Sequence, residues 1–257
     1  MKILFISDLH YDLRIFRGTD QSKSWDWLLM MAEQHSPDLI LSCGDWGYAI
    51  TISEFESLLE IAPVLSIYGN HENFMTLKSI KNLDKNITNS KYIDNSNNFK
   101  NILIKESIIY EFGKLRIAGI NGIVSLKLKE KEGVPRKNPK QFINSAYNFK
   151  NKNIDILLIH ETPYLPFLFH RIDKSPGATS ALNSIKIIKP KLVLNGHMHG
   201  KCFNYYQFDW NTKYLKVDSS QANKCYAIIQ INNIRKALSE IIVYKDDNVK
   251  FKFNIMF

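Results

Sequence analysis

Residues 2–10 read Lys2-Ile3-Leu4-Phe5-Ile6-Ser7-Asp8-Leu9-His10, an apolar run of strand length that stops at an Asp-x-His pair. A strand sends residues i and i+2 to one face, so two polar side chains just past its end can aim at one point. The same punctuation recurs downstream. Leu39 to Ser42 leads into Cys43-Gly44-Asp45-Trp46, and Val64 to Tyr68 into Gly69-Asn70-His71-Glu72. Ile154 to Ile159 leads into His160-Glu161, and Leu192 to Leu194 into Gly196-His197-Met198-His199. Five of the seven histidines sit at these exits. In open α/β sheets ligands bind beyond the carboxyl ends of strands, so the pattern marks a site as well as a fold.

The intervals suit crossover helices. Helical patterns cover Ser24 to His35, Ser53 to Ile61 and Phe74 to Lys81, with Ser22 or Ser24 placed to cap the first and Pro37 barring its continuation. Further strands are expected at Ile102 to Ile104, Ser107 to Tyr110 and Leu115 to Ile120, and further helices from Pro139 to Lys150 and from Ala178 to Ile187. From Cys202 onward the pattern predicts three or four strands, notably Tyr226 to Ile231, Leu238 to Tyr244 and Val249 to Asn254. There is no internal repeat and no long linker. One domain over residues 1–257 is expected, an α/β fold of two facing mixed β-sheets flanked by helices.

A chain of 257 residues can bury a core around a rigid site without staples. Hydrophobic residues at 45% and charged residues at 23% exclude a disordered, collagen-like or coiled-coil protein. The 34 Lys and Arg against 25 Asp and Glu leave a net charge of +9, which suits a polyanionic partner and equally fits a bias toward Lys, Asn and Ile. Cys43, Cys202 and Cys225 are odd in number and form no Cys-x-x-Cys pair. Neither a disulfide framework nor a thiolate metal knuckle is therefore expected, and a cytoplasmic location fits. Met1 to Ser7 is too short for a signal-peptide core, and Ile154 to Phe169 is broken by Asp155, His160, Glu161 and two prolines, so no membrane span is expected.

Asp8, His10, Asp45, Asn70, His160, His197 and His199 offer oxygen and imidazole without thiolate. That set suits Mn, Fe, Zn or Mg over copper or an iron–sulfur cluster. It exceeds one four-coordinate ion and suffices for two sharing a carboxylate. Gly44, Gly69 and Gly196 precede members of the set and would permit tight turns there. One buried His at a strand end is usually a hydrogen-bonded core residue, and one Asp usually a helix cap. Five short patterns in this order have no such structural explanation.

Taken together, Asp8-x-His10, Gly44-Asp45, Gly69-Asn70-His71-Glu72, His160 and Gly196-His197-x-His199 resemble the calcineurin-like metallophosphoesterase superfamily, over residues 8 to 199. Lys189-Pro190-Lys191 and His160-Glu161-Thr162-Pro163 look most like its small stand-alone phosphodiesterases. The resemblance implies a four-layer α/β/β/α sandwich. It implies a first metal held by Asp8, His10, Asp45 and His199 and a second held by Asp45, Asn70, His160 and His197, with Asp45 bridging. His71 would be the catalytic residue, off the metals and beside the phosphate, stabilising the transition state or protonating the leaving oxygen. Trp46-Gly47 stands where an aliphatic residue is commoner in relatives and points to an altered pocket floor. The expected cofactors are two divalent metal ions from among Mn, Fe, Zn, Ni and Mg, and the expected reaction is hydrolysis of a phosphodiester by a metal-bridging hydroxide. Two cations roughly 3.5 to 4 Å apart bring such a water's pKa near neutrality, and a His with a pKa around 6.5 can protonate an alkoxide. The alternatives are a single-strand nucleic-acid nuclease of the same chemistry, favoured by the charge, and a non-catalytic scaffold, disfavoured because every ligand position is filled.

Around the site, Ser125 to Lys140 reads as a solvated basic loop or a lid offering cations to the ester. Thr162 to Ser180, with Phe167, Phe169, His170 and Arg171, reads as a base-stacking loop or as packing beneath the site. His35, ending a helix, is expected to favour the dipole there.

Overall fold

Short apolar runs buried on both faces become the central strands of two sheets. The computed structural model describes residues 1–12, 14–16, 18–93, 96–128, 133–232 and 238–257. In chain order the elements are β1 (Lys2–Ile6), β2 (Ile15–Phe16), β3 (Thr19–Asp20), α1 (Ser24–His35), β4 (Leu39–Ser42), α2 (Ile52–Ile61), β5 (Val64–Ser66), α3 (Phe74–Ser79), α4 (Asp84–Thr88) and α5 (Ser96–Phe99). There follow β6 (Tyr110–Phe112), β7 (Leu115–Ile120), α6 (Pro139–Tyr147), β8 (Ile156–Ile159), α7 (Pro176–Ile188), β9 (Leu192–Asn195), β10 (Phe203–Gln207), β11 (Lys213–Val217), β12 (Cys225–Gln230), β13 (Ser239–Lys245) and β14 (Asn248–Ile255).

One six-stranded sheet has the order β14-β13-β12-β1-β4-β5, the other β10-β11-β9-β8-β7-β6. The first contains a parallel block, β1, β4 and β5, and the second a longer one, β7, β8, β9 and β11. Antiparallel strands extend both. Alternation along the strands sets the layers. Ile3, Phe5, Leu39 and Leu41 meet Ile156, Leu158, Leu192 and Leu194 in a core between the sheets. Their neighbours Leu4, Ile6 and Ile40 pack on Leu28 of α1 and Phe55 and Leu58 of α2. On the far side, Leu157, Ile159 and Val193 pack on Phe142 of α6 and Ala181 and Ile185 of α7. The result is the mixed, helix-flanked pair of sheets that the sequence predicts.

Several local expectations fail. Ser22 and Ser24 do not cap α1: Lys23 stands at the cap without a side-chain bond, and Asp20 instead accepts from Ser22 N in a 3-10 turn just before it. Ile102 to Ile104 is an isolated bridge, Ser66 N donating to Ile102 O and Ile104 N to Ser66 O. The strand expected over Ser107 to Tyr110 lies later, at β6. The tail supplies five strands, because β10 and β11 are short and carry Asn204, Lys213 and Lys216, which mask their alternation. Cys202 and Cys225, expected to be unpaired, form a disulfide with Cα atoms 5.4 Å apart, while Cys43 is free and buried. The excursion through β10 and β11 returns the chain beside Cys202, a contact that a separation of 23 residues does not announce. Among the described residues, no helix is long and apolar enough to cross a membrane.

Candidate metal centre

The parallel strands exit at one rim, where the backbone is bent to aim its side chains. Asp8, His10, Asp45 and His197 have positive φ, at 59°, 52°, 56° and 73°. Such conformations cost non-glycine residues about 1–3 kcal/mol each and cluster at functional sites. Gly44, at φ +89°, supplies a turn as expected. Gly69 and Gly196 serve another purpose: a Cβ on Gly69 would strike the Asp45 carboxylate and the His160 ring, and one on Gly196 would strike Ser7 Oγ and the Asp8 carboxylate. Close approach, not turning, requires glycine at those two positions.

Two groups of side chains result. The ligand-capable atoms of Asp8, His10 and His199 lie within 4.8 Å of one another, as do those of Asp45, His160 and His197. Asp45 stands between them. Its Oδ2 is 3.6 Å from His10 Nε2 and 3.4 Å from His160 Nε2. Its Oδ1 accepts from the backbone N–H of Asn70 at 2.5 Å and of His71 at 2.7 Å, which fixes the carboxylate's orientation. Asn70 Oδ1 is 3.2 Å from His160 Nε2 and so joins the second group. All seven positions singled out in the sequence are thus brought together.

The imidazoles are anchored by their far nitrogens. His160 Nδ1 donates to Cys43 O at 2.6 Å, which aims Nε2 toward Asp45 and Asn70. His199 Nδ1 lies 3.0 Å from Asp218 Oδ2, leaving its Nε2 3.1 Å from His10 Nε2. Ring nitrogens converging while their partners are held by a carbonyl or carboxylate form the donor arrangement of a metal site. The residues present therefore fit divalent cations.

Burial alone would raise the Asp45 pKa, but the charge and hydrogen bond of His160, with the charges of His10 and His71, hold it well below the carboxylate range. Burial opposes protonation of His160, yet Asp45 outweighs it and pushes that pKa up to about 9. His197 is driven down to about 3 by burial and by its neighbour His160, so its ring is neutral. Its backbone N–H donates to both Asp8 oxygens, at 2.9 and 3.0 Å.

His71 lies beside these groups, its ring centroid 5.2 Å from that of His10. Tyr48 Oη is 2.9 Å from His71 Nδ1. Sequence reasoning missed Tyr48, and it also gave no role to Glu72 or Asp218. Glu72 accepts from the backbone N–H groups of Asp45, Trp46 and Gly69, clamping two loops together. Burial, with the Asp45 charge nearby, pushes its pKa up to about 8. Its place in Asn70-His71-Glu72 is a signal that could have found it. Asp218 carries none: it follows β11 and reaches His199 only through the fold.

Surrounding expectations resolve as follows. Trp46 does not floor the pocket; it is fully buried against Trp25 and Phe55, its Nε1 donating to Ser66 Oγ at 2.8 Å. Within the basic segment, residues 129–132 lie outside the described residues. Lys137 is spent on Glu106 and Asn121 O, whereas Arg136 Nη2 donates to Asn70 O at 3.4 Å. Phe169 packs in the core beneath β8 and β9, and exposed Phe167 pairs with Tyr206. His35 stands in the last turn of α1, where burial and the Lys2 charge lower its pKa and Tyr226 Oη sits 2.9 Å from its Nε2.

A family model described as calcineurin-like phosphoesterase matches residues 1–201, and the chain belongs to that family. It is accordingly a hydrolase of phosphate esters. In fold it is similar to a protein of Thermus thermophilus, at 16% identity and TM-score 0.58, covering 89% of this chain and 93% of that one. It is similar also to a dimetal phosphatase from Danio rerio, at 11% identity and TM-score 0.59, covering 100% of this chain and 98% of that one. No curated protein matches it in sequence.

Proposed function

We propose that the chain is a metal-dependent phosphodiesterase with a binuclear centre, its first cation held by Asp8, His10, Asp45 and His199 and its second by Asp45, Asn70, His160 and His197. The observation that carries this reading is the Asp45 carboxylate, whose Oδ2 lies between His10 and His160 while backbone N–H groups pin Oδ1. Two divalent cations supply Lewis-acid charge at the phosphate and a nucleophilic hydroxide near neutral pH.

The chain's own residues do the rest. Glu72 and the backbone of Asn70 and His71 hold Asp45 rigid, so no reorganisation is needed when charge develops. Tyr48 Oη hydrogen-bonds His71 Nδ1 and so leaves the opposite nitrogen, Nε2, for the leaving oxygen; in the imidazolium, Nδ1–H donates to Oη and the Nε2 proton is the one passed on. Arg136, whose Nη1 is buried without a partner among the described residues, brings a guanidinium against Asn70 and offers donors to a phosphate oxygen. The net charge of +9 favours a second reading, a nuclease acting on single-stranded nucleic acid.

The test is hydrolysis of bis-p-nitrophenyl phosphate, p-nitrophenyl phosphate, cyclic nucleotides and single-stranded nucleic acid by stripped enzyme reloaded with Mn, Ni, Zn or Mg. Diester cleavage that drops at least about a hundredfold in Asp45→Asn supports the proposal. Cleavage confined to polynucleotide moves the substrate to nucleic acid, and metal uptake with no turnover of any ester rejects the reading.

A further inference from the structure

The disulfide between Cys202 and Cys225 closes on the supports of the first group of ligands. Cys202 lies just beyond His199 in the chain. Its carbonyl accepts from Asp218 N at 3.0 Å, and the Asp218 carbonyl accepts from Cys225 N at 3.0 Å, so the cross-linked pair grips Asp218 from both sides. Asp218 in turn holds His199, its Oδ2 3.0 Å from Nδ1. Lys216, fully buried, donates from Nζ to Lys201 O at 2.9 Å and steadies the backbone between His199 and Cys202.

A second path leads from the cross-link to Asp8. Ser219 Oγ donates to Cys225 O at 2.7 Å and accepts from Ser7 N at 3.1 Å, and Ser7 Oγ donates to Asp8 Oδ2 at 2.7 Å. Ser219 N completes the path by donating to Ser7 O at 2.7 Å. The anchors of the second group lie elsewhere: Asp45 rests on the backbone of Asn70 and His71, and His160 on Cys43 O. A change at the cross-link therefore bears on Asp8 and His199 first.

Resting on the binuclear reading above, we infer that the Cys202–Cys225 disulfide positions Asp8 and His199, and that its reduction by a dithiol selectively weakens the first cation site. Cys202 is half-buried and Cys225 fully buried, so the reductant's thiolate attacks Cys202 Sγ. The S–S bond breaks, and Cys225 leaves as a thiolate that takes up a proton. The reductant's second thiol then displaces Cys202 and closes the reductant's own disulfide, so two electrons and two protons pass to the protein.

The inference is tested by Mn binding, read by competition with a chromophoric chelator, before and after reduction without denaturant and removal of the dithiol under argon. One site should weaken about tenfold on reduction, the low end of the 10–100-fold that losing a ligand's support costs, while the other keeps its affinity. Cys202→Ser should show the same single weakened site and no further change on dithiol treatment. In metal-free wild-type protein, hydrogen exchange at the amides of Asp218 and Ser219 should quicken on reduction, while that of Asn70 and His71 should not. Unchanged affinity at both sites of the reduced protein overturns the inference and leaves the binuclear reading standing. Equal weakening of both sites overturns it too, as does a cross-link that yields its thiols only in denaturant. Failure of the oxidised protein to bind two cations overturns the binuclear reading and the inference with it.

Discussion

Tyr48 tests the proton traffic at the scale of a single residue. Three positions beyond Asp45, it reaches back to His71 Nδ1 with a hydroxyl. A phenol at this place orients the imidazole without adding a negative charge, and its oxygen can accept from the Nδ1–H of the imidazolium. If His71 protonates the leaving oxygen, the loss in Tyr48→Phe must grow with the basicity of the leaving group. General acid catalysis contributes about 10²–10⁴-fold, so kcat for alkyl diesters should fall about tenfold or more while p-nitrophenyl esters, which need no acid, barely respond. Equal losses on both kinds of ester would mean that Tyr48 only supports the loop. Asp8, His10, Asp45 and His197 show what else a single residue contributes, since left-handed backbone at all four is conformational cost spent on aim.

At the scale of elements, the strand exits explain what was legible in the sequence. β1, β4, β5, β8 and β9 are short, almost wholly buried runs, and each is followed within a few residues by Asp, Asn or His, so both the fold and seven members of the site could be read from local pattern. What failed depends on contacts that pattern does not encode. Gly69 and Gly196 were legible as glycines but not as spacers for Asp45 and Asp8, because the neighbour each makes room for comes from another strand. The connection between β11 and β12 is the largest omission. There Asp218 collects His199 Nδ1, Ser220 N and Asn223 Nδ2, and Ser219 N donates to Ser7 O beside Asp8. Burial alone would raise the Asp218 pKa, but the His199 hydrogen bond and the Lys216 charge outweigh it and hold the group below the carboxylate range. Removing this support should weaken binding of the first cation by about 10–100-fold in Asp218→Ala. Competition with a chromophoric chelator would report that as one weakened site and one retained site, whereas two unchanged affinities would deny Asp218 any part in holding His199.

For the whole molecule, the two sheets share a core and are also joined covalently. Cys202 lies just before β10 in one sheet and Cys225 opens β12 in the other. Asp218 N donates to Cys202 O and Cys225 N to Asp218 O, so the cross-link frames the connection that supports His199. A disulfide of this loop length contributes about 2–4 kcal/mol, chiefly by restricting the unfolded chain. Cys202→Ser should therefore unfold at lower denaturant than the oxidised parent by that amount, and reducing the parent should reproduce the shift; identical midpoints would show that the bond adds nothing to stability. The most direct test of the central claim, that Asp45 joins two cation sites, is anomalous diffraction from crystals grown with Mn. Two peaks roughly 3.5–4 Å apart, one on each side of Asp45 Oδ2, are the predicted result. A single peak, or a pair that Asp45 does not touch, would contradict it.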